Sequence, residues 1–436
     1  MEEIQSQRYR VLVDIVGIAE EMQDIDQLEE MLFDDLMATG RKIMERILQH
    51  KASQQKRKCV CGNEVVEFKG AEERRLETSF GGLCFKRERV YCPSCKRSVY
   101  PLDETIGLSD RKNVTKKVSE LAILGGISWP YVKACEVVHT YTKASIAPRT
   151  IESLLERQKD HVKRFETKRI QQVATSQKER GNRKLPRSHR LYIVLNSTYI
   201  NSRERGAYAE GKVGVIFREE DITTIHGRAN LKNERYVCGF DGNGQLGQRL
   251  YGEAFLMGSR KAAEIILVGD GSPWIREIQR HYFPQATSIL NWQRVREHVD
   301  IAISCLPGSR VRKRQWFDSI EASLWEGNYE AARNTIRAIQ SNLSEEDQGP
   351  LTLLSNYLER NREDLPNYKQ LHQAGYYIGS GSIQTVLDLV IARRQRKRGM
   401  WWSKKGADNL ANLRTIFLNG EWSTYWNGRR LSSQVQ

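Results

Sequence analysis

Leu191-Tyr192-Ile193-Val194-Leu195, bounded by Arg190 and Asn196, is the run whose reading decides the fold. Five consecutive apolar positions between polar flanks read as a short strand. Outward from it, Lys212–Phe217 and Tyr236–Phe240 are two more strand-length runs. Helical and strand patterns then alternate: a helix around Leu250–Met257, a strand at Ile265–Val268, a helix starting at Ser272, and a short run at Ile289–Leu290. Strands close together first and strand–helix units later predict a mixed sheet flanked by helices, an α/β mixed fold. Residues 310–372 are polar and helical with no strand signal, and 379–420 return to a basic amphipathic helix followed by a second short one.

The whole chain of 436 residues is long enough for roughly two to four domains. Its 39% hydrophobic content suffices for real cores and excludes wholesale disorder. Lys and Arg number 69 against 54 Asp and Glu, a net charge of +15 and a pI near 9.4. A surplus of that size points to a polyanionic partner, nucleic acid or an acidic membrane surface. There is no apolar run of membrane-spanning length and no signal-peptide pattern, so the expectation is a soluble, cytoplasmic protein.

Residues 1–57 read as a helical arm. Leu12, Val13, Val16, Ile18, Leu28, Met31, Leu32, Leu36 and Ile43 carry helical periodicity, with Glu20, Glu21, Asp24, Asp26, Glu29 and Glu30 opposite. Packing onto its own body and pairing in a homodimer or higher oligomer both fit. Residues 109–160 read as three helices. The first runs about Val114–Leu124 and is ended by Gly125-Gly126; Ser128 caps the second with Pro130 just inside; the third starts near Pro148. Such a trio has a helix-turn-helix look, with Arg149, Thr150 and Ser153 opening the recognition helix where side chains reach base edges. Residues 161–189 form a basic linker. The stretch holds Lys163, Arg164, Lys168, Arg169, Lys178, Arg180, Arg183, Lys184 and Arg187, with Arg190 just beyond, a run that either stays solvated or lies along a phosphate backbone.

Residues 58–108 hold two thiol pairs, Cys59-Val60-Cys61 and Cys92-Pro93-Ser94-Cys95, separated by a hairpin-like segment (Val65–Phe68, Leu83–Val90). Four soft ligands arriving in two turns suit a structural, tetrahedral Zn²⁺; the alternative is a set of reduced thiols in tight turns. Cys135, Cys238 and Cys305 lie in apolar patterns and read as core residues.

Several short motifs occur in order over more than 350 residues: CVCG and YCPSC, YPLDETIGL, GKVGVIF, GDGSPWI, FPQATSIL, IGSGSIQ, RRQRKRGMWWS and NGEWSTYW. On these the chain resembles the ISKra family of insertion-sequence transposases, relatives of the Mutator-like group. The resemblance implies a bacterial, nucleoid-associated protein with a zinc ribbon, a helix-turn-helix and an RNase H-like core over 190–436, interrupted by a helical insertion at about 308–374. It also implies DNA transposition as the ancestral activity.

Transposases of this type look alike in holding two divalent metals with an Asp-Asp-Glu set. Two such ions, Mg²⁺ or Mn²⁺, activate the attacking oxygen and stabilise the leaving one. In this chain the first position, where the family pattern is Asp-Gly-Thr, falls on Asn196-Ser197-Thr198. The second acid is kept as Asp270. The family's next element, an Asp or Cys with a His three positions on, falls on Asn291 and Arg294, with His298 one turn later; the glutamate falls on Gln384. An amide is a neutral ligand, so two of the three negative charges are gone and two-metal cleavage is expected to fail. Arg294 reads either as a phosphate contact in place of a metal or as a solvated arginine.

The expected function is therefore that of a transposase-derived protein binding double-stranded DNA as a regulatory or targeting factor. The alternatives are an active transposase that recruits other acids such as Asp241 or Asp388, or a protein assembled with an active transposase or other nuclease. In the last motif Arg393, Arg394, Arg396, Lys397, Arg398 and Lys404 are expected to track phosphates rather than read bases. Trp401 and Trp402 read as core rather than as stacking platforms.

Overall fold

A computed structural model describes residues 24–108, 113–178, 189–204, 208–225, 228–240, 242–379 and 382–432. Its contacts divide the chain into two compact units, one ending at Leu154 and one beginning at Leu155.

The first unit opens with α1 (Ile25–Ser53), where Asp24 caps the helix by accepting from the Gln27 amide at 2.8 Å. The antiparallel hairpin β1 (Glu67–Thr78) and β2 (Gly81–Cys92) pairs Leu76 with Leu83 and extends to β3 (Arg97–Val99). Its first strand starts later and runs much further than the expected Val65–Phe68. Leu76, Leu83 and Phe85 form a small core with Leu102 of α2 (Pro101–Thr105), and Met44, Leu48 and Ala52 of α1 pack against it. That half of the arm thus packs on its own unit. The remainder of the predicted arm, residues 1–23, lies outside the described residues. Asp103 of the YPLDETIGL motif is 2% exposed and takes both Arg74 and Arg87, tying α2 to the hairpin by buried, charge-assisted bonds.

Three helices follow: α3 (Lys116–Ser128), α4 (Tyr131–Thr142) and α5 (Pro148–Glu156). Gly125-Gly126 does not end α3, contrary to the sequence expectation. The helix runs through both, because a Cβ on Gly125 would stand 3.1 Å from the Ala134 Cβ and the bare backbone lets α3 and α4 approach. Ser128 is consequently the last residue of α3, and Pro130 takes the cap position of α4.

The second unit begins with α6 (Lys159–Lys178), so the first half of the predicted linker is a packed helix. Val162 is buried, Phe165 meets Tyr425 edge-on, and Arg169 pairs with Glu253 and Glu421. The five-stranded sheet is built from β4 (Arg190–Asn201), β5 (Tyr208–Arg218), β8 (Arg235–Gly239), β9 (Glu264–Gly269) and β10 (Thr287–Leu290). A small hairpin, β6 (Ile222–Ile225) with β7 (Arg228–Leu231), stands apart. The order across the sheet is β10-β9-β4-β5-β8, with β4, β5 and β8 antiparallel and β9 and β10 parallel to β4. The run at 191–195 behaves as its composition demands. Tyr192 and Val194 enter one core, while Leu191, Ile193 and Leu195 enter the other.

α7 (Asn243–Leu256) and α8 (Pro273–Tyr282) cover the second face, while α9 (Trp292–Ser304) belongs to the first. The polar stretch after it forms α10 (Arg310–Trp325), α11 (Tyr329–Gln340), α12 (Gly349–Arg360) and α13 (Tyr368–Gln373). The chain then runs through α14 (Ser382–Leu387), a π turn (Asp388–Ala392) and α15 (Arg393–Gln395), and ends in α16 (Lys404–Leu418) and α17 (Trp422–Ser432). Cys305, expected in the core, is exposed at the C-cap of α9, whereas Cys238 is buried. No helix among the described residues is long and apolar enough to cross a membrane.

Candidate functional site

The strand register brings three of the expected positions side by side, on β4 and just past the C-terminal ends of β9 and β10. Val194 pairs with Val268, and two residues beyond them lie Asn196 and Asp270. Leu290 pairs with Gly269, and the next residues are Asn291 and Asp270. The Asn291 amide nitrogen donates to the Gly269 carbonyl at 2.7 Å. Only one carboxylate stands among these three. Asn196 is 1% exposed, and its side-chain oxygen accepts from the Ser197 amide at 2.8 Å.

Asn291 is the N-cap of α9, its side-chain oxygen accepting from the Gln293 amide at 3.0 Å and the Arg294 amide at 3.4 Å. A Cβ on Gly379 would stand 2.6 Å from the Asn291 Cγ, so the IGSGSIQ segment abuts this side chain. Gln384 lies in α14; its side chain and residues 380–381 are outside what the structure describes. Arg294 turns to Glu297 at 2.6 Å.

The helices at 310–373 brace the strand end. The Tyr357 hydroxyl donates to the Asp270 carbonyl at 3.2 Å, and the His298 ring stacks on Tyr357 with centroids 3.8 Å apart. Burial, aided by the nearby Arg294 charge, holds the His298 imidazole below its usual pKa. Gly271 has φ +82°, and a Cβ there would collide with the Asn361 side chain at 2.5 Å. Asn361 is fully buried; its Nδ2 donates to the Tyr357 carbonyl at 2.8 Å and its oxygen accepts from Arg276 at 3.1 Å. Tyr357 and Asn361 were not among the residues expected from sequence. Their polar-helical surroundings carry no strand-end signal, and the bare Gly271 next to Asp270 was the only hint.

The basic segment after α14 divides. Arg396, Lys397, Arg398 and Lys404 are exposed. Arg396 donates to the Thr198 hydroxyl at 3.1 Å, two residues beyond Asn196, so its guanidinium lies at the same strand as the first acid position. Arg393 is exposed and pairs with Asp388 at 2.8 Å. Asp241, the other acid named as a substitute ligand, falls outside the described residues. Arg394 departs from the expected phosphate-tracking run: it is 1% exposed, its guanidinium 5.1 Å from the Trp402 ring. It packs, since a long stem and a flat cation fit beside an aromatic face. Trp402 donates to the Gln395 carbonyl at 3.1 Å and lies against the core, while Trp401 is half exposed.

In the first unit the four expected thiols converge. Cys59 and Cys95 sulfurs are 3.5 Å apart, Cys61 and Cys92 3.7 Å, and all four lie within 4.8 Å of one another. Tetrahedral Zn–S bonds of about 2.3 Å require S–S edges of about 3.8 Å. The set fits, and the four cysteines could bind a metal such as zinc. The loop is shaped for it: the Cys59 amide donates to the Asn63 carbonyl at 2.9 Å, and Asn63 donates to the Cys92 sulfur at 3.6 Å. The Cys95 amide lowers the Cys92 thiol to about 6, while sharing with the Cys59 sulfur and burial raise Cys95 to about 12. Zinc binding would deprotonate all four thiols, since the thiolate is the ligand form.

Of the recognition-helix positions, Arg149 is exposed and Thr150 and Ser153 are half-buried on α5. Arg183, Lys184 and Arg187 lie outside the described residues.

A protein described as "UPF0236 protein in vanSb 3'region", from Streptococcus gallolyticus, is similar to this chain at 22% identity over 375 residues, which is 85% of this chain and 79% of the relative. A family model described as "Uncharacterised protein family (UPF0236)" matches residues 18–429. With nearly its whole length inside that match, the chain belongs to the UPF0236 family.

Proposed function

We propose that this chain binds double-stranded DNA on the frame of an ISKra-type insertion-sequence transposase, and does so without two-metal cleavage. The observation that carries the reading is that Asn196, Asp270 and Asn291 lie side by side with one carboxylate among them. One carboxylate leaves a pair of dications badly under-neutralised, because Mg²⁺ trades hydration for anionic oxygens. The mixed sheet, with its first three strands antiparallel and two parallel strands added beside the first, supports an RNase H-like core. The thiol cluster supports a zinc ribbon, and the three helices ending in α5 support a helix-turn-helix. The net charge of +15 supports a polyanionic partner.

The test is direct. Purified full-length protein is titrated onto duplex DNA at several salt concentrations, and the same complexes are incubated with Mg²⁺ or Mn²⁺. Binding that weakens steeply with salt, with no nicking or joining, is the expected result. Cleavage that disappears in Asp270→Ala would overturn it.

A further inference from the structure

We infer that the outward face of α6 is a rigid phosphate-binding ridge, seated on its unit by the NGEWSTYW motif. This rests on the DNA-binding reading above and names a surface for it. Lys159, Lys163, Arg164 and Lys168 are all exposed and share their arc of the helix with Asp160, Thr167 and Gln171. The helix's second acid, Glu166, is turned inward to Arg249 at 2.7 Å. Lys159–Lys163 and Arg164–Lys168 are like-charge pairs four residues apart, a spacing that costs a helix stability when nothing answers it. Each such step advances about 6 Å along the axis, against about 3.4 Å of duplex axis per phosphate of one strand.

The opposite face is clamped. Arg169 takes Glu253 at 2.7 Å and also Glu421; Arg235 takes Glu253 at 3.0 Å and also Glu421. Asn419 grips the edge strand β8, accepting from the Tyr236 amide at 2.8 Å and donating to its carbonyl at 2.9 Å. Phe165 packs edge-on to Tyr425, whose ring lies 5.8 Å from that of Trp422. The motif therefore fixes the helix, and with it the charges on its outer face. An anionic membrane is the disfavoured partner, since an interfacial helix needs an apolar outer face, and Val162 is buried and Phe165 and Ile170 are half-buried on the inner side of α6.

The experiment measures affinity of the full chain for a duplex oligonucleotide against salt, for wild type, for Lys163→Gln/Arg164→Gln/Lys168→Gln, and for the charge-keeping Lys163→Arg/Lys168→Arg. Circular dichroism checks that the exposed changes leave the fold intact. The expected result is a log–log salt slope shallower by about 2 to 3 in the triple variant and unchanged in the charge-keeping one. A wild type that binds with a slope the triple variant reproduces overturns the ridge and leaves the DNA reading standing. A wild type that does not bind DNA overturns both. Binding to phosphatidylserine vesicles that is lost in the triple variant, while DNA binding is not, assigns the ridge to a membrane and also overturns it.

Discussion

Tyr357 donates its hydroxyl to the backbone carbonyl of Asp270 at 3.2 Å, joining the helices at 310–373 to the end of β9. These helices are thereby part of the site's frame. Tyr357→Phe keeps the stacking partner of His298 and removes only the hydrogen bond, so a loss of about 1 kcal/mol is expected. Tyr357→Ala removes a buried ring and should cost about 3–5 kcal/mol. Urea unfolding of the full chain separates the two, and a Tyr357→Phe variant as stable as wild type would mean the hydroxyl contact contributes nothing.

Neutralised ligand positions make a reversible prediction. Asn196→Asp combined with Gln384→Glu restores the two carboxylates that the transposase pattern has and this chain lacks. Calorimetric titration with Mn²⁺ should show binding that wild type lacks and that Asp270→Ala abolishes in the restored chain. Tight binding of equal strength by wild type would refute the charge argument.

His298 gives a pH signature. Its folded-state pKa is depressed, chiefly by burial and further by Arg294, below the ordinary value of 6.5. A depressed folded value means the unfolded chain binds the proton more readily. Its contribution is therefore fully present above about pH 6.5 and is lost as pH falls through the folded value. The melting temperature of His298→Gln should accordingly vary less with pH than wild type across that acidic window. Parallel curves would place the dependence elsewhere.

The four thiols predict about one bound zinc per chain. Extraction with a strong chelator should melt the hairpin unit first, and Cys95→Ser should abolish stoichiometric zinc while leaving the five-stranded sheet folded. Full zinc content in Cys95→Ser would dismiss the site.

Much of this architecture was legible in residue patterns. The 191–195 run reads as a strand by its length and its polar flanks and is one, and the two thiol pairs, each in a turn, converge. What escaped reading was tertiary. Gly125 looked like a helix end and is a helix–helix contact with Ala134; Arg394 looked solvated and is buried beside Trp402. Residues 161–189 read as a linker because charge dominates their composition. Only distant partners, Glu253 and Glu421, reveal that Arg169 belongs inside. Asn361 and Tyr357 lie about ninety residues from Asp270 in sequence, and local periodicity carries no information across that distance.

The clamp under the basic helix has its own consequence. Glu421→Gln makes the protein more positive yet breaks its pairing with Arg169 and Arg235, at a cost of about 3 kcal/mol. DNA affinity should fall despite the added charge, with hydrogen exchange of α6 accelerated. Tighter binding in this variant would mean that net charge, and not the seating of the ridge, governs affinity.

With one carboxylate beside Asn196 and Asn291, the protein should bind DNA and leave it whole. Incubating the purified full chain with labelled duplex DNA and Mg²⁺ or Mn²⁺, and reading retention and strand integrity from the same samples, decides the matter. The expected result is shifted, salt-sensitive complexes containing uncut strands. Strand scission that depends on Asp270 and on added metal would contradict it.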